Sequence, residues 1–112
     1  KQLFNYWIMT RALKKNEHIE LAETFGLLSD PTRLAIVLCC LDEKNSAGEI
    51  SKKLEISPSL ASHHLRLLRA GRMLKSDREG KQVFYQISDD CVREILNIMV
   101  NHLFVHEQSD DE

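Results

Sequence analysis

The stretch that decides the fold is Ser46–Ile87, "SAGEISKKLEISPSLASHHLRLLRAGRMLKSDREGKQVFYQI". Near its start, Ser46 is followed three residues later by Glu49, and this capping-box pattern predicts the beginning of a first short helix. A second helix is predicted after Ser57 and Pro58, because serine is a preferred N-cap and proline costs nothing at the first helical position. The spacing leaves room only for a tight turn between the two helices.

The second helix, "SPSLASHHLRLLRAG", divides into two faces at the helical period of 3.6 residues. The face expected to pack on the domain carries Leu60, Ala61, His64, Leu65 and Leu68. The opposite face carries only hydrogen-bonding groups, from Ser59, Ser62, His63, Arg66 and Arg69. An ordinary solvated helix usually mixes acids with bases, whereas the segment 57–70 has no Asp or Glu. Such a face suits phosphates and base edges.

The segment after this helix alternates as strand, turn and strand, which predicts a β-hairpin. Gly71 is expected to end the helix in the left-handed conformation, Met73 to start the first strand, and Glu79–Gly80 to form the turn. The expected tip carries Arg78, Lys81 and Gln82. A cationic tip beside a basic helix can hold a duplex backbone, which predicts a winged helix-turn-helix. The alternative is a plain edge hairpin protected by its charges.

Charge is segregated along the chain. The 112 residues carry a formal net charge of −2, which argues against indiscriminate binding to nucleic acid. Between positions 52 and 81, however, eight Lys and Arg face three Asp and Glu, giving a local formal charge of +5. The final segment 107–112 is acidic and is expected to be a disordered tail. The basic region therefore coincides with the predicted helix-turn-helix and wing.

The remaining segments read as helices, so the predicted fold is mainly α with a small β-hairpin. Two N-terminal helices are expected within 1–28, at Leu3–Lys15 and Ile19–Leu28. Asp30 and Pro31 open a helix over "TRLAIVLCCL" that must be buried. A final helix is expected from about Asp89 to His106, capped by Ser88, with an apolar stripe of Val92, Ile95, Leu96, Met99, Leu103 and Phe104.

We expect one winged helix-turn-helix domain over residues 1–106, with the helix-turn-helix at 46–70, the wing at 72–87 and a dimerisation helix at 89–106. The broad terminal stripe is expected to pack against a second copy of the chain. No apolar run approaches the roughly 18 residues of a membrane span, and three cysteines form no secreted disulfide framework. With no signal peptide visible, a cytoplasmic location and no membrane partner are expected. The absence of a phosphate loop or nucleophile motif argues against an enzyme.

Three segments in this order, "LSDPTRLAIVLCCL", "SPSLASHHLRLLRAG" and "DREGKQVFYQIS", resemble the ArsR/SmtB family of bacterial metal-sensing repressors over roughly residues 20–106. The resemblance implies a homodimer that binds double-stranded operator DNA and loses affinity when a ligand binds. The positions that match the family's operator-reading residues are Ser57, Ser59, Ser62 and His63. Those that match its wing contacts to the backbone are Arg78, Lys81 and Gln82. Arg66 and Arg69 complete the predicted DNA-binding set.

The resemblance also implies where a metal would bind. Family members that sense soft metals carry Cys-x-Cys at positions matched here by Ser46 and Gly48, so that site is absent. Members that sense zinc or cobalt use the last helix, where the corresponding residues are Asp89, Cys91, His102 and then His106. Two departures stand out. Cys91 replaces a histidine, and Val105 occupies the expected fourth position, so that His106 or Glu107 must compensate.

Spacing makes such a site inter-subunit. Asp89 and His102 are 13 residues apart, roughly 20 Å along a helix, so only two antiparallel helices could bring them together. Carboxylate, thiolate and imidazole ligands can form a tetrahedral zinc shell, with another thiophilic or divalent metal as the alternative. The thiolate shifts the preference toward thiophilic ions such as zinc, cadmium or copper(I) and away from cobalt or nickel. The alternative is that His102 and His106 are polar residues favoured near a helix C-terminus.

Two other functions remain open. Some relatives of this fold sense oxidants or reactive sulfur, and Cys39 or Cys40 with Cys91 would form such a pair if their Cα atoms came within about 7 Å. A core role for Cys39 and Cys40 competes with this, since free cysteine is commonly buried. A winged helix can also serve as a protein-interaction module whose basic face meets an acidic partner.

Overall fold

The computed structural model describes residues 12–105. The predicted helix Leu3–Lys15 lies almost wholly outside them, as do His106 and the acidic tail 107–112. Five helices and three strands follow in the order α1 (Lys15–Leu27), α2 (Pro31–Cys39), β1 (Asn45–Ser46), α3 (Ala47–Leu54), α4 (Pro58–Ala70), β2 (Leu74–Glu79), β3 (Gln82–Ile87) and α5 (Asp90–Val100), with a π-helical turn at Asn101–Val105. In the described part of the chain no helix is long and apolar enough to cross a bilayer.

The predicted helix starts are confirmed where the sequence carried a capping pattern. The Ser46 hydroxyl accepts a hydrogen bond from Glu49 N, and the Glu49 carboxylate accepts one from Ser46 N. Ser57 accepts from Leu60 N at 3.1 Å to begin α4. Asp30 accepts from Arg33 N to begin α2, and this bond is the main reason that the pKa of its carboxyl lies below its usual value.

The sheet is larger than the predicted hairpin, because β1 adds a third strand. The strand order is β1-β3-β2, with Asn45 opposite Tyr85 and Ser46 opposite Phe84 on one side of β3. β2 pairs with β3 in antiparallel register from Leu74 opposite Ile87 to Glu79 opposite Gln82. The turn is therefore Gly80–Lys81, one residue later than predicted, with Gly80 at a φ of +66°. β2 likewise begins at Leu74 instead of Met73.

The core lies where α2, α3, α4 and the base of the wing meet. Its buried members are Ile36, Val37, Cys40, Ile50, Leu65, Leu68, Met73, Leu74, Ile87 and Leu96. Two expectations about burial are wrong in detail. Leu38 in α2 is 38% exposed, because only one side of that helix faces the core. Val92 and Leu96 of α5 pack on the core, so the start of the last helix belongs to the winged domain itself.

The end of α4 differs from its prediction in an informative way. Gly71 has an ordinary φ of −83°, and the left-handed residue is Arg72, with a φ of +65°. Met73 N donates to Leu68 O at 2.9 Å, which closes a left-handed C-cap one residue later than predicted. A Cβ atom at position 71 would clash with Cδ1 of Leu27, so any other residue there requires the Leu27 side chain to move. The constraint is close packing of α1.

The predicted boundaries of α1 and α5 also need correction. α1 starts at Lys15, four residues before the expected Ile19, and ends at Leu27. The N-cap of α5 is Asp89, whose carboxylate accepts from Val92 N at 3.0 Å. The predicted cap Ser88 is one residue too early, and its amide donates to Met73 O at the end of the wing. α5 stays α-helical only to Val100.

Candidate nucleic-acid interface

The acid-free helix α4 presents its polar face to solvent. Its exposed residues include Ser59, Ser62, His63, Arg66 and Arg69, while Ala61, His64, Leu65 and Leu68 are buried. Periodicity therefore predicted both faces, with one exception. Leu60, expected to pack on the domain, is 39% exposed. It lies in the first turn, and helical periodicity does not show whether another element covers a helix end.

The start of α4 is fixed by its own serines. The Ser57 hydroxyl is engaged as the N-cap and lies 3.3 Å from the Ser59 hydroxyl. The preceding turn is held by Ser51, whose hydroxyl donates to Ile56 O at 2.6 Å, with Glu55 in the left-handed conformation at φ +56°. This turn sets the angle at which α4 leaves α3, and hence the direction of the exposed polar face.

A cavity of about 500 Å³ joins α4 to the wing. Ser62, Arg66 and Arg69 line it from the helix, and Tyr85 lines it from β3. Two guanidinium groups, a phenol and a serine hydroxyl are all able to donate hydrogen bonds to phosphate oxygens. The alternation of β3 does not indicate that Tyr85 shares a cavity with arginines of α4, because strand periodicity gives no information about α4.

The tip of the wing carries exposed cations, and the acidic residue beside them, Glu79, is paired with Lys44. Arg78, Lys81 and Gln82 are all exposed. Glu79 forms an ion pair with Lys44, and this hydrogen bond raises the pKa of the Lys44 ammonium group. The same ammonium lies 5.3 Å from the centre of the Phe84 ring. Because Lys44 offsets Glu79, the positive charge of Arg78 and Lys81 dominates the tip.

Not every lysine of the basic segment is available to a ligand. Lys53 of α3 donates to the Asn45 side chain at 2.7 Å and lies 3.8 Å from the Glu43 carboxylate. Asn45 is 1% exposed and donates in turn to Cys39 O and Glu43 O. Lys53 therefore stabilises the loop between α2 and β1.

His64 is buried, as predicted, with 8% of its surface exposed. Its ring centre lies 5.5 Å from that of the exposed His63. A buried imidazole is expected to have its ring nitrogens paired, and in the described part of the chain one of them is not. Within residues 12–105, Nδ1 of His64 has no hydrogen-bond partner.

The predicted metal ligands lie at the two ends of the last helical segment. Asp89 and Cys91 are exposed at the start of α5, and His102 is exposed in the π-helical turn that follows it. His106 lies outside the described residues. Among residues 12–105, the structure brings no three histidine, cysteine or acidic side chains together in a cluster that could hold a metal ion.

The three cysteines differ in environment, and each is a free thiol. Cys40 is 1% exposed, and its burial, with the neighbouring Cys39, raises the pKa of its thiol to about 12. Cys39 is half-buried and Cys91 is exposed. A thiolate at Cys40 is therefore disfavoured at physiological pH.

Known proteins match this chain over the segment that contains α2, α3 and α4. Residues 30–76 match the family model described as bacterial regulatory protein, arsR family. A cadmium resistance transcriptional regulatory protein CadC homolog from Staphylococcus aureus is 33% identical over 86% of this chain and 77% of that protein. A transcriptional repressor SmtB homolog from Synechocystis is 31% identical over 75% of this chain, and the match spans 64% of that protein's length.

A solved structure has a similar fold. HlyU from Vibrio cholerae superposes with a TM-score of 0.72 at 28% identity, covering 81% of this chain and 98% of that one. These proteins are transcription regulators, which confirms the expectation that the chain is not an enzyme. The five helices and antiparallel sheet form the predicted winged helix-turn-helix, in which α3 and α4 are the helix-turn-helix and β2 and β3 the wing.

Proposed function

Because this chain belongs to the ArsR/SmtB family of transcription regulators, we propose that it is a homodimeric repressor that binds operator DNA through α4 and the wing. The observation that carries the proposal is the cavity shared by Ser62, Arg66, Arg69 and Tyr85. It places donors from the helix and from the wing around one space, where a strand of the DNA backbone fits beside a helix in the major groove. In the proposed complex, the bases are read by Ser57, Ser59 and His63. The DNA backbone is contacted from the tip of the wing by Arg78, Lys81 and Gln82.

A second copy of the chain completes the proposed reader. α1, α5 and the π-helical turn expose large apolar side chains, including Phe25 at 61%, Ile98 at 61% and Phe104 at 63%. Between α1 and α5 lies an apolar cavity of about 110 Å³, bordered by Phe25 and Ile95. Exposed apolar surface of this extent is typical of an interface. A symmetric dimer formed through it places two α4 helices for successive major grooves, about 34 Å apart.

The proposed effector is zinc or a related thiophilic or divalent ion, bound between the last helices of the dimer. Asp89 and Cys91 of one chain and His102 and His106 of the other would hold it, with Glu107 as the alternative to His106. The donor set suits zinc, which takes carboxylate, thiolate and imidazole ligands in a tetrahedral shell. Asp89 keeps a second carboxylate oxygen for a ligand, since only Oδ1 accepts the capping bond from Val92 N. Zinc would supply charge and rigid coordination that favour one relative orientation of the two chains.

The decisive experiment is fluorescence anisotropy of the reduced, metal-free protein on the DNA upstream of its own gene, followed by stoichiometric zinc. We expect tight, sequence-selective binding that zinc releases. Arg66→Gln and Arg69→Gln should each weaken binding, whereas Lys15→Gln, an exposed cation on α1, is the matched control. Equal affinity for scrambled DNA would contradict the repressor and favour a protein-interaction module.

The zinc part of the proposal has its own variant. His102→Ala should leave DNA binding intact and abolish release by zinc. Release that persists in His102→Ala would remove this site from the mechanism. Tight binding that ignores zinc would instead direct attention to oxidants or reactive sulfur. In that case the exposed Cys91 and half-buried Cys39 are the thiols to test, because Cys40 resists ionisation.

A further inference from the structure

A cavity with a cationic lining lies beside the one between α4 and the wing, at the base of the wing. It measures about 450 Å³ and is bounded by the end of α4, the start of β2 and the approach to α5. Its charged lining consists of Arg69, Arg72, Lys75 and Asp89. It is open to solvent, and its charged lining is biased toward positive charge.

The cations of this cavity are unpartnered, which sets them apart from others in the protein. Within residues 12–105, Arg69, Arg72 and Lys75 form no ion pair and no side-chain hydrogen bond. By contrast, Arg33 donates to Leu27 O and Arg93 donates to Leu41 O. Three unneutralised cations around one cavity attract an anion.

Ser88 supplies a second, independent observation. It lines the same cavity, and its hydroxyl oxygen is buried without a hydrogen-bond partner among the described residues. Buried polar groups in folded proteins are nearly always paired. Because that oxygen is out of reach of solvent, it pairs with a ligand oxygen in the cavity once the Ser88 side chain turns toward it.

Arg72, which follows the C-cap residue Gly71 of α4, lies at the edge of this cavity. Its left-handed conformation belongs to the C-cap of α4, in which Met73 N donates to Leu68 O.

From these observations we propose that the cavity binds a phosphate-sized oxyanion through Arg69, Arg72, Lys75 and the Ser88 hydroxyl. Guanidinium groups bind such anions with paired hydrogen bonds, and the lysine adds a point charge. The single carboxylate, Asp89, is outnumbered by the three cations, so the lining still attracts an anion. The anion is either a free phosphate compound or a backbone phosphate of bound DNA.

Arg69 gives the proposed site a consequence for DNA binding. Its side chain lines both this cavity and the one between α4 and the wing. A free anion that binds Arg69 in this cavity competes with DNA for the same guanidinium. The competition with DNA, and DNA as the source of the anion, rest on the proposed repressor function. The site itself does not.

The first test uses the full-length, metal-free protein without DNA. Inorganic phosphate and glycerol 3-phosphate are titrated at constant ionic strength and followed by amide chemical shifts and calorimetry. For a free anion we expect saturable binding, with shifts at Arg72, Lys75 and Ser88. Arg72→Gln and Lys75→Gln should each weaken it at least about tenfold. Lys15→Gln is the matched control, and unchanged spectral dispersion verifies that each variant is folded.

The second test distinguishes the source of the anion. If DNA supplies the phosphate, free phosphate does not bind, but Arg72→Gln lowers the salt dependence of DNA binding by about one phosphate contact relative to Lys15→Gln. If the anion is free, phosphate weakens DNA binding by the wild type and not by Arg72→Gln. Phosphate binding that persists in both cavity variants overturns the proposal, as does the absence of both phosphate binding and a changed salt dependence. Loss of sequence-selective DNA binding alone contradicts only the repressor function.

Discussion

The guanidinium of Arg93 donates a hydrogen bond from Nη1 to the carbonyl oxygen of Leu41 at a distance of 3.0 Å, across 52 positions of the chain. Arg93 belongs to α5, and Leu41 begins the loop that leads from α2 into β1. That loop also carries Lys44, which pairs with Glu79 of the wing, and Asn45, which is bonded to Lys53 of α3. The proposed dimerisation helix is therefore tied directly to the loop that holds the helix-turn-helix and the wing together.

Replacing this arginine should loosen that connection. Arg93→Gln removes the charged donor from a half-buried carbonyl, and we expect the free energy of unfolding to fall by about 1.5 kcal/mol. Urea unfolding should show a lower midpoint with an unchanged m value. Glu94→Gln, at the exposed neighbouring position, should stay within about 0.5 kcal/mol of wild type. Equal stability of the two variants would show that the bond contributes nothing.

The buried amide of Asn45 should matter more than its position in a loop suggests. Its side chain donates to Cys39 O and Glu43 O and accepts from Lys53, so Asn45→Ala leaves several polar groups unpaired. We expect a loss of about 2–3 kcal/mol in the free energy of unfolding. Asn16→Ala, at an exposed position of α1, is the control in the same urea titration. A loss no larger than that of the control would contradict a structural role for the buried amide.

The apolar surface of α5 leads to a prediction about oligomeric state. Ile98 is 61% exposed in the single chain. A glutamate at this position would bury an unpaired charge in the proposed dimer, so Ile98→Glu should be monomeric where wild type is dimeric. Sedimentation equilibrium measures the association directly. Leu38→Glu, which alters an exposed leucine on α2, should remain dimeric, and a dimeric Ile98→Glu would exclude this face as the interface.

The cysteines should differ sharply in reactivity. With its pKa raised to about 12, Cys40 has only about one thiolate in ten thousand thiols at pH 8. Iodoacetamide should therefore modify the exposed Cys91 well before Cys40, as measured by peptide mass spectrometry over time. In urea all three cysteines should react alike. Because the pKa of the Cys40 thiol is raised in the folded state, folding favours the protonated thiol. The folded state therefore loses stability as the pH rises from the ordinary thiol value toward about 12. Rapid modification of native Cys40 would contradict its burial.

Local chemistry along the chain was enough to locate the helix-turn-helix. The caps at Asp30, Ser46 and Ser57 each act on an amide three residues ahead, so their partners are written beside them in the sequence. Periodicity separated the polar from the buried face of α4 for the same reason, since side chains on one face recur every three or four residues. The basic wing followed from strand alternation and the glycine of its turn.

Features that depend on distant elements could not be read in this way. Leu27 packs against Gly71, 44 positions later, and the left-handed residue that follows is Arg72. Asp89 caps α5, and the preceding Ser88 donates from its amide to Met73 O across the base of the wing. Strand β1 forms because β3 lies beside it, and its two residues carry no β pattern of their own.

The sequence by itself determined the order of helices, the wing and the exposed polar face of α4, because each depends on interactions that reach no further than one helical turn or one hairpin. Only the tertiary structure decided which side chains share a cavity. Arg69 meets Tyr85 on one side and Lys75 and Ser88 on the other, and these groups come together only after α4 packs against the wing. Burial and the convergence of charges are properties of that packing, and so they appear only in the folded chain.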